Sequence, residues 1–299
     1  MNAQADWNIP EPLSVAKVRL DEESESPVRR YGNPDAGTRL VLSHANGLAI
    51  DLYYPFWSLL AEEFDLMIFD LRNHGWNPVG ALRNHNIPRL IVDHDLVLEA
   101  IDRIHGTKPT VGVFHSLSAL VALLSMADRY AAMVLFDPPI CKSVVSEAEF
   151  DEAVERIARK VRRRGDTFQS EEEFADLLAY MPTFLRVLPG VRQLTARTTL
   201  RRRPGGDLEL RCPRHYEAQI VDYVRSYAPL FDLETLTCPT KVIGADPTLP
   251  SAYLPTYDLR HVLSVDYDFV PDATHLLQLE QPTECVSRLR SFLDDRRLA

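Results

Sequence analysis

VGVFHSLSALVALL, residues Val111–Leu124, is the stretch on which the reading of the whole chain turns. Val111–Phe114 is short, apolar and rich in β-formers, whereas Leu117 onward packs as an apolar helix. Ser116 falls at the junction. A tight strand-to-helix turn lifts a hydroxyl above a sheet edge, at a helix N-terminus whose amides stabilise negative charge. A serine there also serves as an ordinary helix N-cap. Phe114 and Ser118 hold the two positions where a nucleophile turn usually has glycine. Ser118 is small, but Phe114 has bulk enough to widen or distort the turn.

Outward from this stretch, Leu40–Ser43, Leu66–Asp70 and Ala132–Phe136 are further short runs of the same kind. Non-alternating apolar runs suit strands buried on both faces, as in a parallel sheet. Tyr53–Phe64, Ile91–Ile104 and Leu117–Asp128 are long enough for helices between them. This alternation predicts an α/β fold, a mostly parallel doubly wound sheet. It stops at Pro138–Pro139 and resumes with strands at Thr240–Ile243 and His261–Val265, then an amphipathic helix over Glu284–Leu293. The expected organisation is a core of residues 15–141 and 238–299, a helical cap inserted at 142–237, and a loose arm at 1–14. Within the cap, Ser170 and Glu173 form a capping box that opens a helix at Glu171. Pro213 suits the first turn of a second helix.

A serine nucleophile needs a base. Of nine histidines, His275 is best placed, between the final predicted strand and the final helix. His44 and His74 read as loop hydrogen-bonding groups, and His115 as packing beneath the turn that carries Ser116. Asp246, after the penultimate strand and four residues before Pro250, is placed ahead of Asp137 as the acid; Asp137 ends the strand that follows the serine helix. Either would orient the imidazole and stabilise the imidazolium. The loop Ser43–Gly47 follows the first buried strand, and its Asn46 amide, with the Leu117 amide, is suited to bind an oxyanion.

Taken in chain order, these elements resemble the α/β-hydrolase superfamily over residues 15–295. HANG (His44–Gly47) is similar to the HG-x-G oxyanion loop and DLRNHG (Asp70–Gly75) to the D-x-R-G-H-G segment. FHSLS is similar to the nucleophile elbow, and DATHLLQLEQP to the terminal G-H-x-x-x-x-E-x-P signature, with Thr274 in place of glycine. Together with RKVRRRGDTFQSEEE and ELRCPRHYEAQI, the pattern looks closest to fungal peroxisomal-lipase-like and toxin-cluster hydrolases, which suggests secondary metabolism. There the acid often sits at the position of Asp137. The resemblance implies a Ser–His–Asp enzyme acting on an ester, lactone or thioester.

Phe168, Tyr180, Met181, Phe184, Leu185 and Leu188 are expected to line an apolar pocket or to pack cap against core, and Arg162–Arg164 and Arg201–Arg203 to be solvated surface. A capped apolar pocket favours a medium-sized hydrophobic small molecule. With 43 acidic against 33 basic residues, the formal charge is −10, which argues against nucleic acid as a partner. No run approaches a membrane span, and the opening MNAQADWNIPEP lacks the layout of a signal peptide. RRLA is no peroxisomal address of the SKL kind. Four cysteines without a CxxC pair point to free thiols and a cytoplasmic setting. No metal motif and no Gly-rich phosphate loop is present, so neither metal nor cofactor is expected, and the chain reads as a monomer or homodimer. Two alternatives remain open. One is the same fold turned to C–C cleavage, cyclisation or acyl transfer; the other is a non-catalytic small-molecule binding protein.

Overall fold

The apolar runs pair edge to edge, as strands covered on both faces must. The computed structural model describes residues 6–125, 128–140, 147–230, 236–249 and 265–299. In chain order its strands are β1 (Ser14–Arg19), β2 (Glu25–Gly32), β3 (Arg39–Ser43), β4 (Asp65–Phe69), β5 (Thr110–His115) and β6 (Ala132–Phe136). Three short ones follow, β7 (Thr167–Phe168), β8 (Leu200–Arg202) and β9 (Leu208–Leu210), and then β10 (Thr240–Gly244) and β11 (Asp266–Phe269). The main sheet has the order β1-β2-β4-β3-β5-β6-β10-β11. From β4 to β11 its neighbours are parallel, and β1 and β2 extend it as antiparallel strands at one edge. The expected doubly wound sheet is therefore present.

Helices cover both faces. They are α1 (Tyr54–Trp57), α2 (Ile87–His105), α3 (Leu117–Leu124), α4 (Glu147–Arg163), α5 (Glu171–Leu178), α6 (Val191–Thr199), α7 (Arg214–Tyr227), α8 (Leu277–Glu280) and α9 (Pro282–Asp294). Strand alternation divides the core. Leu40, Leu42, Leu66, Ile68, Val111 and Val113 pack with Phe56 and Trp57 and with Val286 and Leu289 of α9. Val41, Met67, Phe69 and Phe114 face Leu90, Val97 and Ile101 of α2 and Ala119 of α3. Among the described residues no helix is long and apolar enough to cross a membrane.

Several elements differ from expectation for identifiable reasons. The β1–β2 hairpin is absent from the sequence reading because β2, ESPVRRYG, is heavily charged. Arg29 is nevertheless fully buried, where it bonds Asp51 at 2.8 Å and Asp70 at 2.7 Å and lies over the Trp76 ring. The last strand is the half-buried edge strand Asp266–Phe269, where charge is tolerated. Most of the expected strand His261–Val265 lies outside the described residues, as do Pro250 and Cys141. Tyr53–Phe64 forms short 3-10 and α turns around Pro55 rather than one helix. The helix at 91 begins earlier, at Ile87, because the Asn86 side chain caps it, accepting from the Arg89 amide at 3.0 Å.

Residues 6–13 carry contacts that a loose arm would lack: the Trp7 indole donates to the Pro189 carbonyl at 3.0 Å and meets the Tyr54 ring edge-on. Between β6 and β10 the Ser170 cap and the Pro213 start hold as expected. The β7-β9-β8 sheet there went unforeseen, since two- and three-residue strands leave no period to read.

Two stability tests follow from buried charge. Arg29→Met strands Asp51 and Asp70 without their cation and is expected to cost about 3–5 kcal/mol in urea unfolding. Separately, burial pushes His94 down to about 4 and His85 to about 3, so both stay neutral in the folded chain. The unfolded chain takes up those protons below about 6.5, so stability is full above that pH and is lost as pH falls towards 4. Urea midpoints between pH 7.5 and 4.5 should show this decline, and His94→Gln should make it shallower.

Candidate active site

Parallel pairing of β5 with β6 sets His115 opposite Phe136, so the chain leaves both strands at the same height of the sheet. The Ser116 amide donates to the Phe136 carbonyl at 3.0 Å, and the Asp137 amide to the Ile243 carbonyl at 2.9 Å. Both residues then turn with positive φ, 52° at Ser116 and 37° at Asp137. A non-glycine residue is strained there, and such strain concentrates at functional sites. Ser116 immediately precedes α3, whose first amide belongs to Leu117.

Phe114 does not widen this turn. Its ring lies on the opposite face, fully buried against His94 and Tyr130. It folds back over Gly112, where a Cβ would come within 2.5 Å of it. The glycine that accommodates the ring is thus two residues upstream of it.

His275 Nδ1 lies 2.6 Å from Asp137 Oδ2. A carboxylate only accepts, so Nδ1 carries the proton and Nε2 is the basic nitrogen. Asp137 Oδ1 accepts from the Ala245 amide at 3.3 Å. Asp246 is engaged elsewhere. Its Oδ1 accepts from the Thr248 hydroxyl and amide at 2.7 and 2.8 Å, and its Oδ2 from the Asp272 amide at 2.9 Å. The Thr248 hydroxyl, helped by these amides, holds its carboxyl below the usual range. The structure therefore brings His275 to Asp137, the aspartate ranked second from sequence, and makes Asp246 a clamp on the loop that carries His275. Glu280 clamps that loop from the other side, accepting from the Thr274 amide at 2.8 Å and from its hydroxyl. Thr274 thus adds a bond that glycine would not.

In the loop after β3, three amides are committed. Ala45 donates to Tyr53 Oη at 3.2 Å, Gly47 to His74 Nε2 at 3.0 Å and Leu48 to the Ala45 carbonyl at 3.3 Å. The Asn46 amide has no such bond among the described residues, while its side chain donates to the Glu217 carbonyl of α7 at 2.9 Å. Asn46, Ser116 and Leu117 line one small recess. Asn46 and His275 also line the adjoining cavity of about 360 Å³, whose walls include Leu48, Ile157, Val161, Met181 and Phe184.

Of the side chains proposed for a pocket, Met181 and Phe184 reach this cavity. Phe168 is buried in the core, Leu188 packs against it, and Tyr180 and Leu185 face solvent. Arg164, expected to be solvated, lines the cavity with Lys160 and pairs with Glu217. Nothing in the local pattern marked Glu217, since its partners lie 53 and 171 positions away.

His44 and His74 do hold loops. The His44 Nε2 accepts from the Leu71 amide at 3.1 Å, and the His74 Nδ1 donates to the Arg72 carbonyl at 2.9 Å. His74, His85 and Cys212 bring ligand atoms within 4.8 Å of one another. Both His74 nitrogens are already bonded to backbone, which makes this a structural cluster.

Residues 40–288 match the Alpha/beta hydrolase family. No curated protein matches the chain in sequence. Among solved structures, E-2-(acetamidomethylene)succinate hydrolase superposes with a TM-score of 0.74 at 17% identity, covering 94% of this chain and 99% of that one. The peroxisomal alpha-beta-hydrolase of Saccharomyces cerevisiae gives 0.69 at 16% identity, covering 95% and 88%. A thermophilic esterase from Thermogutta terrifontis gives 0.66 at 21% identity, covering 94% and 98%. At these identities the likeness shows the fold.

Gly47 tests how closely α7 sits on this loop. Its φ is +75°, and a Cβ there would collide with the Glu217 carboxylate. Gly47→Ala is expected to cost about 1–3 kcal/mol of stability in urea unfolding. An unchanged midpoint would show that Gly47 is not held at positive φ against the Glu217 carboxylate.

Proposed function

Because the chain belongs to the alpha/beta hydrolase family, we propose that it is a serine hydrolase that cleaves a medium-sized hydrophobic ester, lactone or thioester. The observation that carries this reading is the 2.6 Å contact of His275 Nδ1 with Asp137 Oδ2, made at the sheet edge where Ser116 turns with positive φ.

Ser116 Oγ attacks the acyl carbonyl while His275 Nε2 takes its proton, and Asp137 stabilises the resulting imidazolium. The carbonyl oxygen becomes an oxyanion held by the Asn46 and Leu117 amides. These amides exist before the reaction begins, so they need no reorganisation as charge develops. The tetrahedral intermediate then collapses: the acyl–oxygen or acyl–sulfur bond breaks as the imidazolium protonates the leaving atom, which departs as alcohol or thiol or, from a lactone, stays as a hydroxyl on the acyl chain. In the second half, His275 activates water to attack the acyl-enzyme carbonyl. Collapse of the resulting tetrahedral intermediate breaks the acyl–Ser116 bond, releases the acid and returns the proton from the imidazolium to Ser116 Oγ.

The residues at 142–237 act in this reading as a cap over the core formed by 15–141 and 238–299. The apolar walls of the 360 Å³ cavity support a hydrophobic small molecule as substrate. Cys212, Cys238 and Cys285 are free, which supports a reducing, cytoplasmic setting. The site motifs support placement near the fungal peroxisomal-lipase-like and toxin-cluster hydrolases, and with it a role in secondary metabolism.

The test is turnover of a p-nitrophenyl ester series of increasing acyl length. Ser116→Ala should lower kcat at least about 10³-fold and Asp137→Asn about 10³- to 10⁴-fold. Asp246→Asn should cost less than Asp137→Asn, about 10- to 100-fold, since it loosens the loop that carries His275 but leaves the carboxylate at the imidazole in place. A larger loss at Asp246 than at Asp137 would reverse the assignment of the acid. Fluorophosphonate labelling of Ser116 without ester turnover would favour a repurposed reaction, and no labelling a binding protein.

A further inference from the structure

The chain of hydrogen bonds beneath the site runs in one direction only. His115 is fully buried, with Nε2 2.8 Å from the His275 backbone carbonyl and Nδ1 2.6 Å from Tyr53 Oη. A carbonyl has no proton to give, so His115 Nε2 must be the donor. Burial, reinforced by the neighbouring His275, holds the His115 imidazole well below its ordinary pKa, so the ring is neutral and Nδ1 is an acceptor. The Tyr53 hydroxyl therefore donates to Nδ1, and its oxygen accepts the Ala45 amide at 3.2 Å. Tyr53 is itself buried, so no bulk water competes for these groups. Each donor thus has one possible direction, and successive bonds in a dry chain strengthen one another.

The two ends of this chain are informative. It starts at the residue before Asn46, passes through the residue before Ser116 and ends on His275 itself. We propose that His115 is a positioning residue that ties the nucleophile turn, the His275 loop and the Asn46 loop into one register, with Tyr53 as its second member. The proposal rests on the serine-hydrolase reading for its consequence in turnover, but not for its geometry. Neither side chain touches substrate in this arrangement; both act through the backbone of residues that do.

Tyr53→Phe removes one oxygen and leaves the Ala45 amide and His115 Nδ1 unbonded. It should lower kcat about 10- to 100-fold with KM within about twofold, because misplacement by a fraction of an ångström suffices. Rates are to be normalised to the serine titrated by a fluorophosphonate, which removes any loss through unfolding. His115→Gln, which can still donate to the His275 carbonyl, should retain more kcat than His115→Leu. An unchanged kcat per titrated serine in Tyr53→Phe overturns the proposal. Nitrogen-15 NMR of the wild-type protein decides the geometry without any turnover or variant. His115 should show the neutral ring with its proton on Nε2; a proton on Nδ1 overturns the chain of bonds. Absence of wild-type turnover with the expected His115 signal would count against the hydrolase reading alone.

Discussion

The pairing of β5 with β6 is the constraint on which the site depends. Parallel strands in register end at one height, and here each is prolonged by one more backbone bond, from Ser116 to Phe136 and from Asp137 to Ile243. Those bonds hold the chain in the sheet until the residue that must turn. Both turning residues then enter backbone space that costs energy, and the surrounding sheet supplies the rigidity that keeps them there. Without that register, neither the hydroxyl nor the carboxylate would stand above the sheet edge.

Around this edge, buried polar groups hold the supporting loops in addition to apolar contact. Asp70 shows how. Burial pushes its carboxyl up, but the Arg29 charge and the Ile50 and Trp76 amides outweigh this and keep it ionised. It thereby fixes the start of the segment that carries Tyr53 and the turn that carries Gly75, where a Cβ would strike the carboxylate. A buried charge in this position specifies geometry: an apolar replacement of equal volume would fill the space but leave two amides unbonded.

What the sequence made legible follows from this division. The central strands are buried for their whole length and carry apolar runs, the local trace that burial on both faces leaves. Ser116 stands out because it closes such a run at a strand end, and His275 because it lies between the last strand and the last helix. The choice between Asp137 and Asp246 was not legible, since both end strands and both precede loops; only the distance to His275 separates them. β2 and β11 were obscured by charges whose partners lie far along the chain or at the solvent edge. Glu217 and Tyr53 gave no signal for the same reason. A hydrogen bond across a fold has no period in the sequence.

The two aspartates also divide one role between them. Asp137 meets the imidazole, while Asp246, at the next strand end, holds the backbone on which that imidazole is mounted. Charge and placement are therefore separable duties, supplied from adjacent strands. Losing the Asp246 bonds would loosen the mount of an imidazole that keeps its carboxylate, whereas losing Asp137 would remove that carboxylate and leave the mount intact.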